Sequence, residues 1–233
     1  TAERVAYRNL IYGLQAPATA TYRNPYREWI GAQIRADMWG YVSPGNPRRA
    51  ATMAFQDAAL SHVQNGIYGE MWASALIAAC FVTQNMTNAL EASLAEIPPR
   101  SRLAEAVRDV LAMYARGLDW EEARDEIEQR YYGKYHFVHT INNAAVLSAA
   151  LLWGEGDYTR TIGLAVQGGW DTDCNGATAG SAFGAMHGTR SLPAYWIEPL
   201  NDLIRSAVFG FDNARISDLA ERTLALALKA SSL

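Results

Sequence analysis

Polar capping residues and helix breakers divide the apolar positions of this chain into helix-length blocks throughout. No run shows the strict apolar/polar alternation, bounded by hairpin turns, that marks a half-buried strand. The pattern predicts helices over residues 2–12, 29–41, 47–63, 69–83, 102–116, 120–131, 138–153, 158–166, 176–187 and 217–230. Several starts have a stated cause. Asn46 followed by Pro47 reads as an N-cap with proline at the first helical position. Asp119 with Glu122 three residues on reads as a capping box. Pro98-Pro99 breaks the chain before the helix at 102. Connections are short, no low-complexity linker divides the chain, and no fixed period repeats, so the expected architecture is a single all-α domain over residues 1–233.

The block after Asn175 places Gly176, Gly180, Gly184 and Gly188 at every fourth position, on one face of its helix, with Ala177, Ala179, Ala182 and Ala185 keeping most of the rest small. Glycine costs a helix roughly 1 kcal/mol against alanine. A row of four therefore predicts close approach of a neighbouring helix or of a ligand, at a distance where a Cβ would clash.

Composition narrows the class without naming it. A chain of 233 residues, half of them apolar, can bury a large core. A net charge of −4 gives no electrostatic case for nucleic acid. Cys80 and Cys174 stand far apart and form no metal-ligand spacing, which favours a reducing, cytoplasmic setting. No apolar run reaches the ~18 residues that a membrane span needs, and the amino terminus has no signal-peptide pattern.

The segment with most chemistry is Gly168-Gly169-Trp170-Asp171-Thr172-Asp173-Cys174-Asn175-Gly176. Its acids allow three readings. Asp173 or Asn175 caps the helix that follows. Alternatively Asp171, Asp173, Asn175 and Gly176 open a calcium loop of EF-hand type, but the twelfth position, where that loop needs a bidentate Glu, is Ala182. The third reading is a catalytic site for a hard divalent cation, held by carboxylate oxygens with positions left for water and substrate hydroxyls.

This stretch, from Gly168 to Gly188, resembles the carboxy-terminal signature of the ADP-ribosylglycohydrolase family, Gly-Gly-Asp-Thr-Asp-Thr followed by a small-residue helix ending in Gly. Trp170 is inserted where the signature has its second Gly. Cys174 replaces the final Thr, whose hydroxyl serves the metal; a neutral thiol is a poorer ligand for a hard cation. Residues 29–35, Trp-Ile-Gly-Ala-Gln-Ile-Arg, resemble the family's Gly-Asn-Gly-x-x-Met-Arg segment, whose backbone cradles substrate phosphates; Gly31 and Arg35 match, while Trp29 and Ile30 depart. Leu60-Ser61-His62 resembles its Leu-Thr-His block, and the three blocks stand in the family's order.

The resemblance implies an all-α, metal-dependent hydrolase: a glycosidase cutting at the anomeric ribose carbon of ADP-ribosylated small molecules or proteins, or of a related ribosyl compound. It implies Asp171 and Asp173 as the catalytic acids and, with Cys174, as ligands of Mg²⁺ or Mn²⁺, two ions in the intact enzyme. Gly31, Ala32, Gln33, Arg35, His62, Gly168, Gly169 and Trp170 are the implied substrate contacts. The family's paired acids near the amino terminus, Thr-Asp-Asp or Asp-Asp-Thr, have no counterpart, because no Asp-Asp pair occurs. The expectation is a chain truncated at its amino terminus; a half-site completed by another chain, or an inactive, ligand-binding or structural relative, is the alternative. Asp37 and Asp57 are the acids within the chain that recruitment would draw on.

Other constellations fail. There is no Gly-Lys-Ser/Thr phosphate loop, no HExxH, and Ser181 is one place out of register for a nucleophile elbow. His136 and His139, with Phe137-Val138 between them, are a poor metal pair. The polar run 139–143 ahead of an apolar block reads as a helix start in preference to a pocket lip.

Overall fold

The computed structural model describes residues 1–231, with side chains to residue 230. Among them are α1 (Ala2–Ile11), α2 (Ala18–Thr21), α3 (Gly31–Ile34), α4 (Asp37–Tyr41), α5 (Pro47–Ala58), α6 (Asn65–Cys80) and α7 (Met86–Leu94). There follow α8 (Arg102–Ala115), α9 (Trp120–Tyr131), α10 (Thr140–Trp153), α11 (Tyr158–Gln167), α12 (Thr172–His187), α13 (Ala194–Ile197) and α14 (Ile216–Ser231). The fold is all-α apart from one short antiparallel pair, β1 (Leu203–Ile204) with β2 (Ala214–Arg215).

Two helices that are apolar on every side form the centre, which is what such a sequence requires. In α10 every residue is buried, and in α6 all but Ile67, Tyr68 and Met71. Helices α3, α4, α5 and α7 pack around α6; α8, α9 and α11 pack around α10; α12 touches both. The start signals read from the sequence are made as hydrogen bonds. The Asn46 side chain accepts from Arg49 N–H at 3.0 Å behind Pro47, and Asp119 and Glu122 close a reciprocal capping box. Ser101 and Asp157 cap α8 and α11 in the same way.

The departures have local causes. The expected helix 29–41 is split in two where the N–H groups of Arg35 and Ala36 turn to Ala32 O and Gln33 O, and it starts only at Gly31, because the backbone at 28–30 is spent on a bridge: Ile30 N–H donates to Val138 O at 2.9 Å and Thr140 N–H to Glu28 O at 3.1 Å. That bridge also delays α10 from 138 to 140. Helix α5 stops at Ala58 rather than 63, since Val63 N–H turns to Arg27 O at 3.0 Å. Helix α6 starts four residues before the expected 69, and α12 starts at Thr172, four before the expected 176, so the acids lie at its first turn. Helix α7, absent from the sequence reading, is capped by Asn85, whose side chain accepts from Asn88 N–H.

No neighbouring helix makes the close approach expected of the glycine row. A Cβ on Gly176 would stand 3.5 Å from Val166 Cγ2, and one on Gly180 would stand 3.4 Å from the Tyr158 hydroxyl, both ordinary contacts. Nothing lies within 4 Å of one on Gly184. Gly188 does a different job, ending α12 at φ +73°. The row borders a groove of about 960 Å³ whose other walls carry Tyr41, Phe81 and Tyr158 and the apolar face of α14. The neighbouring helices stand off by the length of these side chains. Among the described residues no helix is long and apolar enough to cross a membrane, and Cys80 and Cys174 are free thiols.

Candidate metal centre and its surroundings

The acidic loop is shaped by its backbone. Gly168 lies against α10 so closely that a Cβ would sit 2.5 Å from Val146 Cγ1. Gly169 and Trp170 both take positive φ, +78° and +57°. The left-handed region is costly for a tryptophan; the conformation is the one that a second glycine would adopt freely, and the indole holds it by packing against the core. The two left-handed residues turn the chain so that Asp171 becomes the N-cap of α12 and Asp173 and Cys174 fall in its first turn.

Asp171, Asp173 and Cys174 each offer one ligand atom within 4.8 Å of the others, and Asp171 is half-buried. Burial raises the Asp171 carboxyl above its ordinary value; Asp173 adds to this and Cys174 opposes it. Burial also pushes the Cys174 thiol up, together with the negative charge of Asp171 and Asp173. Of the residues read as caps, Asp173 lies inside the first turn and Asn175 is fully buried with its side chain donating to Asn143 and its Oδ1 unpartnered; the N-cap position falls to Asp171, whose carboxylate rests against Cys174. Two carboxylates at a helix N-terminus, with an orphaned amide oxygen beside them, are a donor set that fits a hard divalent cation.

Behind the loop stands Asn143 of α10. Its Oδ1 accepts from Asp171 N–H at 3.0 Å and from Asn175 Nδ2 at 2.9 Å, while its Nδ2 donates to Phe137 O and His139 O, each at 2.8 Å. The run 139–143 is thus a helix start, capped by His139 Nδ1 accepting from Ile141 N–H. His136 is exposed and stacks on Trp29.

Residues 31–35 take other roles than a phosphate cradle displays. Ala32 and Gln33 are buried, and Gln33 Oε1 accepts from the Thr140 hydroxyl at 2.7 Å. Gly31 is covered by the Glu3 carboxylate, which occupies the place a Cβ would take. Every nitrogen of the Arg35 guanidinium is engaged. Nε donates to Asp57 at 2.6 Å, Nη1 to Glu3 at 2.7 Å, and Nη2 to Ser61 Oγ at 3.1 Å. Glu70, with a fully buried side chain, lies 3.8 Å from Nη2. Its Oε2 has no hydrogen-bond partner, and the Asp57 carboxylate stands close enough to favour the protonated form of Glu70. Burial, reinforced by Asp57, pushes Glu70 up to about 9. His62 is buried, its Nδ1 against Ser61 Oγ and its Nε2 3.9 Å from Glu3; burial lowers it to about 4.

This charged cluster borders the acidic loop, since α3 packs on α12 and the charge of Glu3 reaches Cys174. Gly168, Gly169 and Trp170 line a separate pocket of about 430 Å³, shared with Arg124 and Glu128 of α9 and with Tyr132 just beyond it. Of the recruitable acids, Asp57 belongs to the Arg35 cluster. Asp37 accepts from the hydroxyls of Ser181 and Tyr41 on the groove side of α12, and burial raises it to about 6. Among the described residues, Asp171, Asp173 and Cys174 are the one group of three or more His, Cys, Asp or Glu side chains gathered closely enough for an ion.

A family model described as ADP-ribosylglycohydrolase matches residues 1–232. The chain belongs to the ADP-ribosylglycohydrolase family. No curated protein and no solved structure matches it. ADP-ribosylglycohydrolases are all-α glycosidases, generally metal-dependent, and this chain carries both the helical fold and an acidic cluster of the right kind. Glu3, Glu70 and Asn143 were beyond the sequence reading. For Asn143 a signal existed in the polar run ahead of α10; for Glu3 and Glu70 none separates them from ordinary helix-surface acids.

Proposed function

We propose that the chain is a metal-dependent glycosidase acting at the anomeric carbon of a ribosyl group, in ADP-ribosylated substrates or a related ribosyl compound. The observation that carries the reading is the gathering of Asp171, Asp173 and Cys174 at the start of α12, in a chain of this family. Asp171 and Asp173 would hold Mg²⁺ or Mn²⁺, with Cys174 as a weaker third donor, and two ions are expected in the active enzyme. When bound, the cation supplies Lewis-acid stabilisation and lowers the pKa of water. The chain's own acids orient the ribose hydroxyls and an attacking water against an oxocarbenium-like centre, by fixing positions rather than by forming bonds. Arg35, saturated by carboxylates, favours recognition through the ribose over recognition of a diphosphate by that residue.

Calorimetric titration of Mn²⁺ into the wild type and into an Asp171→Asn, Asp173→Asn double variant tests the centre. Binding heat in the wild type that is lost in the variant is the expected result; equal heats would sink the assignment. The engagement of Arg35 also supports the second reading, a ligand-binding member without catalysis. A protein that binds Mn²⁺ tightly yet releases no ribosyl group from any ribosylated nucleotide or protein would decide for it.

A further inference from the structure

We infer that Asn143 is the positioning residue of the acidic loop, the side chain that gives residues 171–175 their ion-binding shape; the inference rests on the metal reading above. Asn143 is fully buried in the first turn of α10, and each of its four polar contacts leads to a different backbone or side chain. The two donated bonds hold its amide by the carbonyls of Phe137 and His139. That segment is itself fixed to residues 28–30 by the Trp29–His139 bridge, immediately before α3. With its donor end clamped, the oxygen has one direction left, and it meets both the amide of Asp171 and the side chain of Asn175.

The consequence reaches both acids. Trp170 is left-handed without being glycine, so the loop needs an external hold to keep that turn. The Asn143–Asp171 bond supplies one at the next residue. Because the same oxygen binds Asn175 in the first turn of α12, it fixes the loop and the helix start relative to each other, and Asp173 and Cys174 lie between the two points held. No other natural side chain of this size both donates twice and accepts twice. Residues that orient metal ligands from behind typically alter metal affinity by 10–100-fold when removed.

Mn²⁺ alone is the probe, followed by the loss of its free-ion electron paramagnetic resonance signal on binding. Asn143→Ala and Asn143→Ser should each weaken Mn²⁺ binding about tenfold or more. Ser148→Ala on the same helix removes a buried hydroxyl bonded to Ala144 O and should leave Mn²⁺ binding unchanged whatever it costs in Tm. A second readout needs neither variant nor metal: in the ion-free wild type the Asp171 amide should exchange with deuterium as slowly as amides within α10. Either an Asn143 variant that binds Mn²⁺ as tightly as wild type, or an Asp171 amide that exchanges like an open loop, overturns the inference. A wild type with a protected Asp171 amide that takes up no Mn²⁺ overturns the metal reading, and with it the role assigned to Asn143 in serving an ion.

Discussion

Three carboxyls face one guanidinium at Arg35, and the proton on Glu70 is what makes that arrangement tenable. An acid held near 9, against an ordinary 4.5, keeps a proton in the folded chain that the unfolded chain releases. Its contribution to stability is therefore complete below about pH 4.5 and is lost progressively as pH rises towards 9. Glu70→Gln keeps the shape and removes the titration. Thermal melts at pH 6, 7.5 and 9 should show wild type falling in Tm more steeply than Glu70→Gln, with the variant gaining ground at the alkaline end; parallel curves would refute the protonated pair. His62 and His139 act at the other end, both buried and lowered to about 4. The unfolded chain takes up their protons below about 6.5, so their share of stability is lost as pH falls from there towards 4. Little of this was visible in the sequence. Asp171 and Asp173 stood out because their spacing and preceding glycines have chemical meaning. Glu3, Asp57 and Glu70 come from three helices, and only their convergence on Arg35 gives them a role.

Helices were legible where the cause of their ends is local, and obscure where it is distant. The Asn46-Pro47 and Asp119/Glu122 starts depend on bonds within four residues, and both are made. The late start of α3 at Gly31, by contrast, follows from pairing with residues more than a hundred positions away, which no local pattern encodes. The glycine row was read as a sign of contact, and the standing-off of Tyr158 and Ile162 reverses its prediction. Gly184→Ala puts a Cβ into open space and Gly180→Ala makes an ordinary contact. Both should therefore stabilise through helix propensity, by about 0.5–1 kcal/mol each, with Mn²⁺ binding unaltered. Denaturant melts measure this, and a loss of stability in Gly184→Ala would show that α14 closes on the groove in solution.

Burial is distributed unevenly along the chain. From α6 to α12 the buried apolar side chains, joined by Ala36, form one large cluster, whereas of residues 188–230 Ala227 alone is buried. The segment that includes α13, the β1–β2 pair and α14 meets the body at α4, by a bond from Arg49 to the carbonyl of Ala230, and at α11, where Tyr195 and Trp196 rest on Tyr158 and Thr159. Backbone with so few buried apolar contacts opens at low free energy, while opening near α6 or α10 requires disrupting the core. Trypsin under native conditions should therefore cut first at Arg190, Arg205 or Arg215, all exposed, and later at Arg102 or Arg116. Mass spectrometry of a digestion time course identifies the sites. The acidic loop, Asn143 and the Arg35 cluster all lie before residue 188 and, among the described residues, draw no bond from beyond it. The large first fragment should accordingly retain the Mn²⁺ affinity of the intact chain. Early cleavage within α8 or α9, or loss of Mn²⁺ binding on removal of the segment after 190, would mean that α13 and α14 help to hold the centre and that the body is not sufficient without them.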